Sequence, residues 1–582
     1  GILVYSLVAI FLWPSSSRAG FNAAATDLAS IQRQLYQAYL GLMSGQGGEQ
    51  EARRLAAQQA QAKTRFDQLL DAAETDSQEV WESRRQWRRY QRQAMELMQT
   101  MARWRESFAE VQTLDLQRML PGIEAFGAEL DGRMVQIGNM LAGTAPGQVP
   151  LSVDLSLDNN AVGNLSHFQL AALVVTRANM LHMDQLTRSL FEGVSELSGF
   201  GTASAPIEAP RAPAAVFLPD LDRLANVVRY MAILWMAWLA LIYVNDIPGG
   251  AGLVSFAGGL GIAVASLPQV PVSKLFKPVA TSVLFAAVLY IFVMPQLSSF
   301  AGLGLLIFAV TFVIGYLYAD PQQMIGRAAG LATFVVIASI SNEQSYNFLS
   351  VANTAMTFIL LLLILVITAY IPVSPRPERV FLRLLGRYFR SSEYLISAMR
   401  WYPAHAATRL ERWKEAFHER EVATLPSKLG SWLPHLDTRV LSGATPEQAQ
   451  ALVTSLQSLT YRMQLLLDER DIPQAQFLVQ ELLEEFRAWR LGVQGFFQRL
   501  AEEPVIGGQD MLRTRLDGLV VHLESRIKDT LNKAPEGQLS NREAENFYRL
   551  LGAYRGVSEA LVEYGANAAG IDWTPWREER FA

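Results

Sequence analysis

Apolar positions recur with a helical period along most of this chain, and in one block the polar positions between them disappear. Six apolar segments lie there: 227–244, 251–268, 279–294, 299–319, 323–340 and 353–371. A bilayer core of about 30 Å is crossed by roughly 17–25 apolar residues in a helix, so the block reads as six membrane spans. Helical periodicity is clear upstream in 22–44, 50–73, 77–110, 114–142 and 163–198. Downstream it recurs in 377–400, 405–421, 446–468, 473–503, 508–531 and 538–568. Turn-like stretches at 45–48 and 144–150, with Pro426, Pro434, Pro473 and 507–508, predict the breaks. Strand-type alternation is nearly absent, so the expected fold class is all-α. The expected organisation is the end of a membrane helix (1–14), a helical domain (15–222), a six-helix transmembrane domain (223–372) and a second helical domain (373–582). A Pro/Ala-rich linker at 199–219 closes the first helical domain.

Charge orients the block. Arg223 and Arg229 lie at the approach to the first span, and Lys274 and Lys277 lie between the second and third. Arg327 follows the fourth, and Arg376, Arg379, Arg383, Arg387 and Arg390 follow the sixth. The alternate loops, 245–250, 295–298 and 341–352, hold no Lys or Arg and carry Asp246 and Glu343 instead. Basic residues favour the cytoplasmic side. Six spans with both ends inside satisfy this pattern and place both large polar regions in the cytoplasm.

The rest of the composition mostly excludes. The 582 residues carry a net charge of −5, which gives no global signal for nucleic acid. The most basic stretch, 84–92, is diluted by Glu79, Glu82 and Glu96 and reads as a solvated helix face, with Trp81, Trp87 and Trp104 turned to the core. With no cysteine there is no disulfide, thiolate metal site or cysteine nucleophile. The six histidines are scattered, and His418–Glu419 reads as a solvated pair on an amphipathic helix. No phosphate-binding GxxxxGK loop, HExxH motif or GxSxG elbow occurs. An enzyme, a cofactor and a metal are therefore not expected.

The start of the chain echoes the exit from the sixth span. Pro14 stands to Pro372 as Ser16 does to Ser374, Arg18 to Arg376 and Tyr36 to Tyr394. In both places an apolar helix stops at a proline, passes a Ser/Arg turn and enters a long helix. The stretch 2–13 has neither the basic lead-in nor the cleavage site of a secretory signal. At roughly 1.5 Å per residue it is too short to span alone. The expectation is a duplicated membrane protein whose first half precedes Gly1.

Candidate site residues lie in and beside the apolar block. Gly258, Gly259 and Gly261 crowd the second span, which either packs closely on a neighbour or breaks to expose backbone groups to a substrate. Lys274, Lys277 and Arg327 either anchor topology or gather anions at the mouth of the bundle. Asp320 precedes Pro321 and suits a helix cap or a protonation site. Ser255, Phe256 and Tyr290 are candidates to line a route for an aromatic molecule.

The Pro-terminated FLWPSSSR, the long polar helical block, the segment VVRYMAILWMAWLALIYV, the turn YADPQQMIGR and the exit IPVSPRPER together resemble the fusaric acid resistance family of bacterial aromatic acid exporters. The resemblance runs over the whole chain and rests on order and texture. It implies an inner-membrane efflux component for small aromatic carboxylic acids, a homodimer in contact with membrane lipids, and a periplasmic adaptor as partner. An anion channel on the same bundle and a membrane-tethered scaffold are the alternatives.

Overall fold

The computed structural model describes residues 17–577 apart from 46, 112–113, 164, 201–217, 248, 267, 270, 320–323, 341–345, 400–407, 437–444, 471, 473–475, 506–513, 515–517, 519–520, 523–524 and 531–540. The stretch 1–14, most of the linker 199–219, most of the expected helix 508–531, Asp320 and Glu343 lie outside the described residues.

Among the described residues the structure is helical, with no strand. Helices of fifteen residues or more are numbered here in chain order. The first five are α1 (Ser17–Met43), α2 (Glu49–Asp76), α3 (Arg84–Glu106), α4 (Ile123–Leu141) and α5 (His167–Leu197). The apolar block holds α6 (Leu221–Tyr243), α7 (Gly250–Ser266), α8 (Ser273–Val288), α9 (Phe300–Leu317), α10 (Met324–Ala338) and α11 (Phe348–Thr368). There follow α12 (Pro377–Ala398), α13 (Arg409–Trp432), α14 (Pro446–Arg470), α15 (Leu483–Glu502) and α16 (Asn541–Ala569). Two compact units cut across the chain-order blocks: Gly1–Ala215 with Ser392–Ala407 and Ala451–Gly570, and Val216–Ser391 with Thr408–Gln450 and Ile571–Ala582.

The first unit is a water-type helical bundle. In α3 the buried positions Tyr90, Ala94, Leu97, Met101 and Trp104 form one stripe at helical spacing. The basic residues lie off that stripe, where Arg88 bridges Asp71 (2.6 Å) and Glu74 (2.7 Å). Trp104 is fully buried beside Tyr36 and Phe108, and Trp87 packs edge-on against Phe21. Trp81 departs from expectation. It is 54% exposed and lies under the Arg84 guanidinium, 4.2 Å from the ring centroid. A cation stacked on an indole face lets the ring stay in water. Ser166 and Gln169 close a capping box on α5. That helix meets α16 through Arg177–Glu545 (2.8 Å) and His167–Tyr548 (3.0 Å).

The second unit holds the apolar helices. Four of them are long and apolar enough to cross a bilayer: α6, α8 with its continuation to Gln296, α9 and α11. Among the described residues α7 and α10 are shorter apolar helices, of 17 and 15 residues. The third apolar segment is not one α-helix. After Val288 it becomes a π-helical turn, Leu289–Val293, and then a 3-10 turn, Met294–Gln296.

Two packing clusters hold these helices. One joins Ile233 and Ala237 of α6, Leu253 and Ala257 of α7, Leu275 and Val279 of α8, and Leu361 and Leu365 of α11. The other joins Ala286, Tyr290 and Met294 to Val310 and Ile314 of α9, Phe334 and Ile337 of α10, and Val351 of α11. Half-buried Val283 touches both. Little of the apolar surface is covered by the unit itself, from 11% of the apolar stretch in α9 to 44% in α11. Phe308, Phe312 and Tyr316 stack in a row along α9 and are all exposed. Each such side chain left in water forgoes about 1.5–3 kcal/mol, so this surface belongs in lipid or against other apolar helices.

Pro426 does not end a helix as the sequence predicts. It lies buried inside α13, which continues to Trp432. Burial of Val422, Leu425 and Leu429 around it offsets the missing N–H.

Candidate functional site

The charged end of the second unit is built from both sides of the apolar block. Asp220 caps α6, accepting from the backbone N–H groups of Asp222 and Arg223. Lys428 of α13 donates to Asp220 (2.9 Å) and Asp222 (2.7 Å). Arg387 of α12 donates to Asp222 (2.7 Å) and, in a forked contact, to Glu421 of α13 (2.6 Å). The Glu421 side chain is 7% exposed and that of Arg387 13%. Burial works against the Arg387 charge, but hydrogen bonds and charge from Glu421 and Asp222 outweigh it and hold the guanidinium above its usual pKa. Burial likewise pushes the Asp220 carboxyl up. Lys428 and the two backbone N–H groups pull it down by more, to a net value below the carboxylate norm. The network fastens the start of α6 to the two helices that follow the last apolar helix.

His418 is not a solvated residue. It is half-buried, and its Nδ1 lies 3.0 Å from the Ser391 hydroxyl on α12. Burial first, then the Lys414 charge, lowers its pKa. The unfolded imidazole titrates at about 6.5. Above that pH it is neutral in both states. Below it the unfolded chain takes the proton first, so stability is lost as pH falls towards the lower folded value. Hydrogen exchange in α13, corrected for intrinsic rate, is expected to speed up between pH 7 and pH 5. The His418→Gln variant should show a flatter response, and an identical response would remove His418 as the cause.

The expected site residues do not converge. Lys274 and Lys277 lie one turn apart at the start of α8, both exposed. The Lys274 charge, second to burial, depresses the pKa of His435. Arg327 is exposed on α10. Ser255 is exposed on α7, while Phe256 stacks on Phe358 of α11, with centroids 5.1 Å apart and planes at 12°. Tyr290 is buried in the π-helical turn, edge-on to Tyr346 at 5.4 Å. Phe256 therefore belongs to the first packing cluster and Tyr290 to the second.

The α7 helix is unbroken from Gly250 to Ser266. A Cβ on Gly261 would lie 3.2 Å from Ile233 and 3.4 Å from the Tyr230 ring, so this glycine lets α6 and α7 approach closely. Gly258 has only Leu234 and Tyr230, at 4.0 Å, and Gly259 has nothing within 4 Å. The ion-pair network escapes sequence reading because Asp222 and Arg387 are 165 positions apart. The one local signal is Arg383 and Arg387 one turn apart on a face that also buries Val380 and Leu384.

Apolar helices left mostly uncovered, with their ion pairs gathered beyond the helix ends, define an integral membrane protein of the all-α class. Residues 1–420 match the Fusaric acid resistance protein family, and the chain belongs to it. That family is one of membrane transport and efflux proteins. Among curated proteins, none matches the chain.

Proposed function

We propose that the protein is a secondary exporter that moves small aromatic carboxylic acids, or related weak acids, from the cytoplasm across the bacterial inner membrane. Both polar regions face the cytoplasm, and all six apolar helices take part in the bundle. The observation that carries this reading is the one-sided charge: every second connection is basic and the others hold no Lys or Arg. Lys274, Lys277 and Arg327, exposed at the cytoplasmic mouth, gather the anion. Ser255, exposed on α7, faces the route, Phe256 and Tyr290 pack the two helix clusters beside it, Asp320 is a protonation site, and of the three glycines it is Gly261 that lets α6 and α7 approach closely. The protein acts as a homodimer in contact with membrane lipids and beside a periplasmic adaptor, with no cofactor and no nucleic acid. It moves solutes rather than catalysing a reaction. Membrane-family membership supports transport, and the absence of a GxxxxGK loop from the sequence supports a gradient as the energy source.

The test is accumulation of labelled benzoate in cells with and without the protein, each with and without a protonophore. Expression should lower accumulation, and the protonophore should restore it. No difference in any arm removes the exporter reading. Replacing Lys274 and Lys277 together by alanine is expected to reduce export about three- to tenfold at unchanged membrane insertion, the size of a lost electrostatic focusing effect. Unchanged export assigns both lysines to topology.

A further inference from the structure

The apolar block contains a buried cation that no carboxylate pairs with among the described residues. In α6 the buried stripe is Arg229, Ile233 and Ala237, one turn apart, while Val228, Met231, Trp235 and Trp238 face outward. Arg229 thus heads the stripe that faces the bundle. A basic residue that serves only as a topology anchor runs its side chain out to the headgroups. Arg229 does the opposite and is 5% exposed.

Its partners are neutral and distant. One terminal nitrogen lies 3.3 Å from the Asn226 amide oxygen and the other 3.4 Å from the Val373 carbonyl oxygen. Both contacts are long for N–H···O bonds. The Nε has no acceptor among the described residues. Among the described residues no carboxylate pairs with Arg229, and the charge that acts on it is that of a second guanidinium, Arg383 of α12. Arg383 itself makes no ion pair among the described residues: the Asp222 carboxylate acts on it from beyond pairing distance but is bonded to Arg387 and Lys428, and Glu421 is bonded to Arg387. A buried guanidinium without a counter-ion costs several kcal/mol. A second one beside it raises that cost, and an anion removes it. Guanidinium forks match the two oxygens of a carboxylate or phosphate.

We propose that Arg229 and Arg383 form an oxyanion-binding site where α6, the chain after α11 and the start of α12 meet. The ligand is a carboxylate or a phosphate. Its two sources are a free small anion and the headgroup of an anionic lipid. The site stands apart from the transport reading, because binding is measured on purified protein whether or not the protein exports anything.

The experiment uses the full chain, in detergent and in nanodiscs, and follows thermal unfolding. In neutral detergent, benzoate and inorganic phosphate are titrated. In nanodiscs, phosphatidylglycerol is compared with phosphatidylcholine. A saturable rise in the unfolding temperature with either free anion identifies a solute site, and a rise only with phosphatidylglycerol identifies a headgroup site. In either case Arg229→Gln is expected to weaken the response about tenfold or more, and Arg383→Gln to weaken it in the same direction. Arg223→Gln, exposed on the same helix, should leave it unchanged. Without an anion, Arg229→Gln is expected to unfold at a higher temperature than the parent, because it removes an unbalanced buried charge. That second readout separates loss of the site from loss of the fold. No response to any anion in the parent protein overturns the proposal. So does an Arg229→Gln variant that responds as the parent does.

Discussion

Glu421→Ala is expected to loosen α13 from α12 by about 3 kcal/mol, roughly a hundredfold in the local opening equilibrium. The Glu421 carboxylate is nearly buried and accepts the forked contact from Arg387. Truncating it leaves Arg387 with Asp222 alone, in a place where water cannot take over the lost hydrogen bonds. The effect sits at the low end for a broken buried pair because that second carboxylate remains. Glu49→Ala is the contrast. Glu49 pairs with Arg53 at 2.7 Å and with Arg105 at 3.1 Å, but its own carboxylate is more than half exposed in both contacts, and such pairs contribute under about 1 kcal/mol each. Hydrogen exchange in α13 reads the first change. The double replacement of Arg387 and Glu421 by methionine is expected to cost less than Glu421→Ala, because it leaves no buried charge unpaired. A double variant worse than the single one would mean that the pair itself, rather than its broken half, carries the stability.

Gly249→Ala is expected to be about as damaging, for a different reason. Gly249 sits in the α6–α7 turn with φ +69°, in the left-handed region where a side chain costs about 1–2 kcal/mol. An added Cβ would also collide with the Thr357 hydroxyl oxygen and lie 3.3 Å from the Asn353 carbonyl oxygen, both on α11. Overlap of that kind costs roughly 1–3 kcal/mol. Thr357→Ala in the same chain removes the hydroxyl collision and should recover part of the loss, leaving the backbone share. Gly259→Ala is the control within α7. A Cβ there meets nothing within 4 Å, and alanine favours the helix by about 0.5–1 kcal/mol. Thermal unfolding in nanodiscs compares the three. Equal unfolding temperatures for Gly249→Ala and Gly259→Ala would show that the turn does not pin α7 to α11.

Hydropathy and periodicity made the helices legible. Each of the six apolar segments contains a helix, and α1, α5, α12, α14 and α16 begin and end within a few residues of their expected bounds. The misses share one physical origin, which is that side-chain contacts made in the folded protein override local expectation. Pro426 breaks a helix in isolation, and the apolar neighbours around it keep α13 intact. Trp81 looks like core by type, but a neighbouring guanidinium covers its ring. His418 sits in a charged run, yet its ring turns toward Ser391.

Site residues were harder to read than elements. Lys274, Lys277 and Arg327 are visible because topology depends on local charge counts. The Arg387–Glu421–Asp222–Lys428 network is invisible because its members meet only after α6, α12 and α13 are packed. Arg229 looks like one more anchoring cation in the sequence. Only the stripe it shares with Ile233 and Ala237 shows that it points inward.

The π-helical turn at Leu289–Val293 has a consequence for comparing this chain with its relatives. A π turn holds one residue more than the α-helical path it replaces, so the third apolar helix is in effect an α-helix with a single-residue insertion near its end. Positions before Tyr290 keep the phase of α8, and positions after it are turned by about 100° around the axis. In a relative without this turn, equivalence therefore slips by one place beyond Tyr290. The residue that occupies the slot of Met294 in space then stands one column away in an alignment.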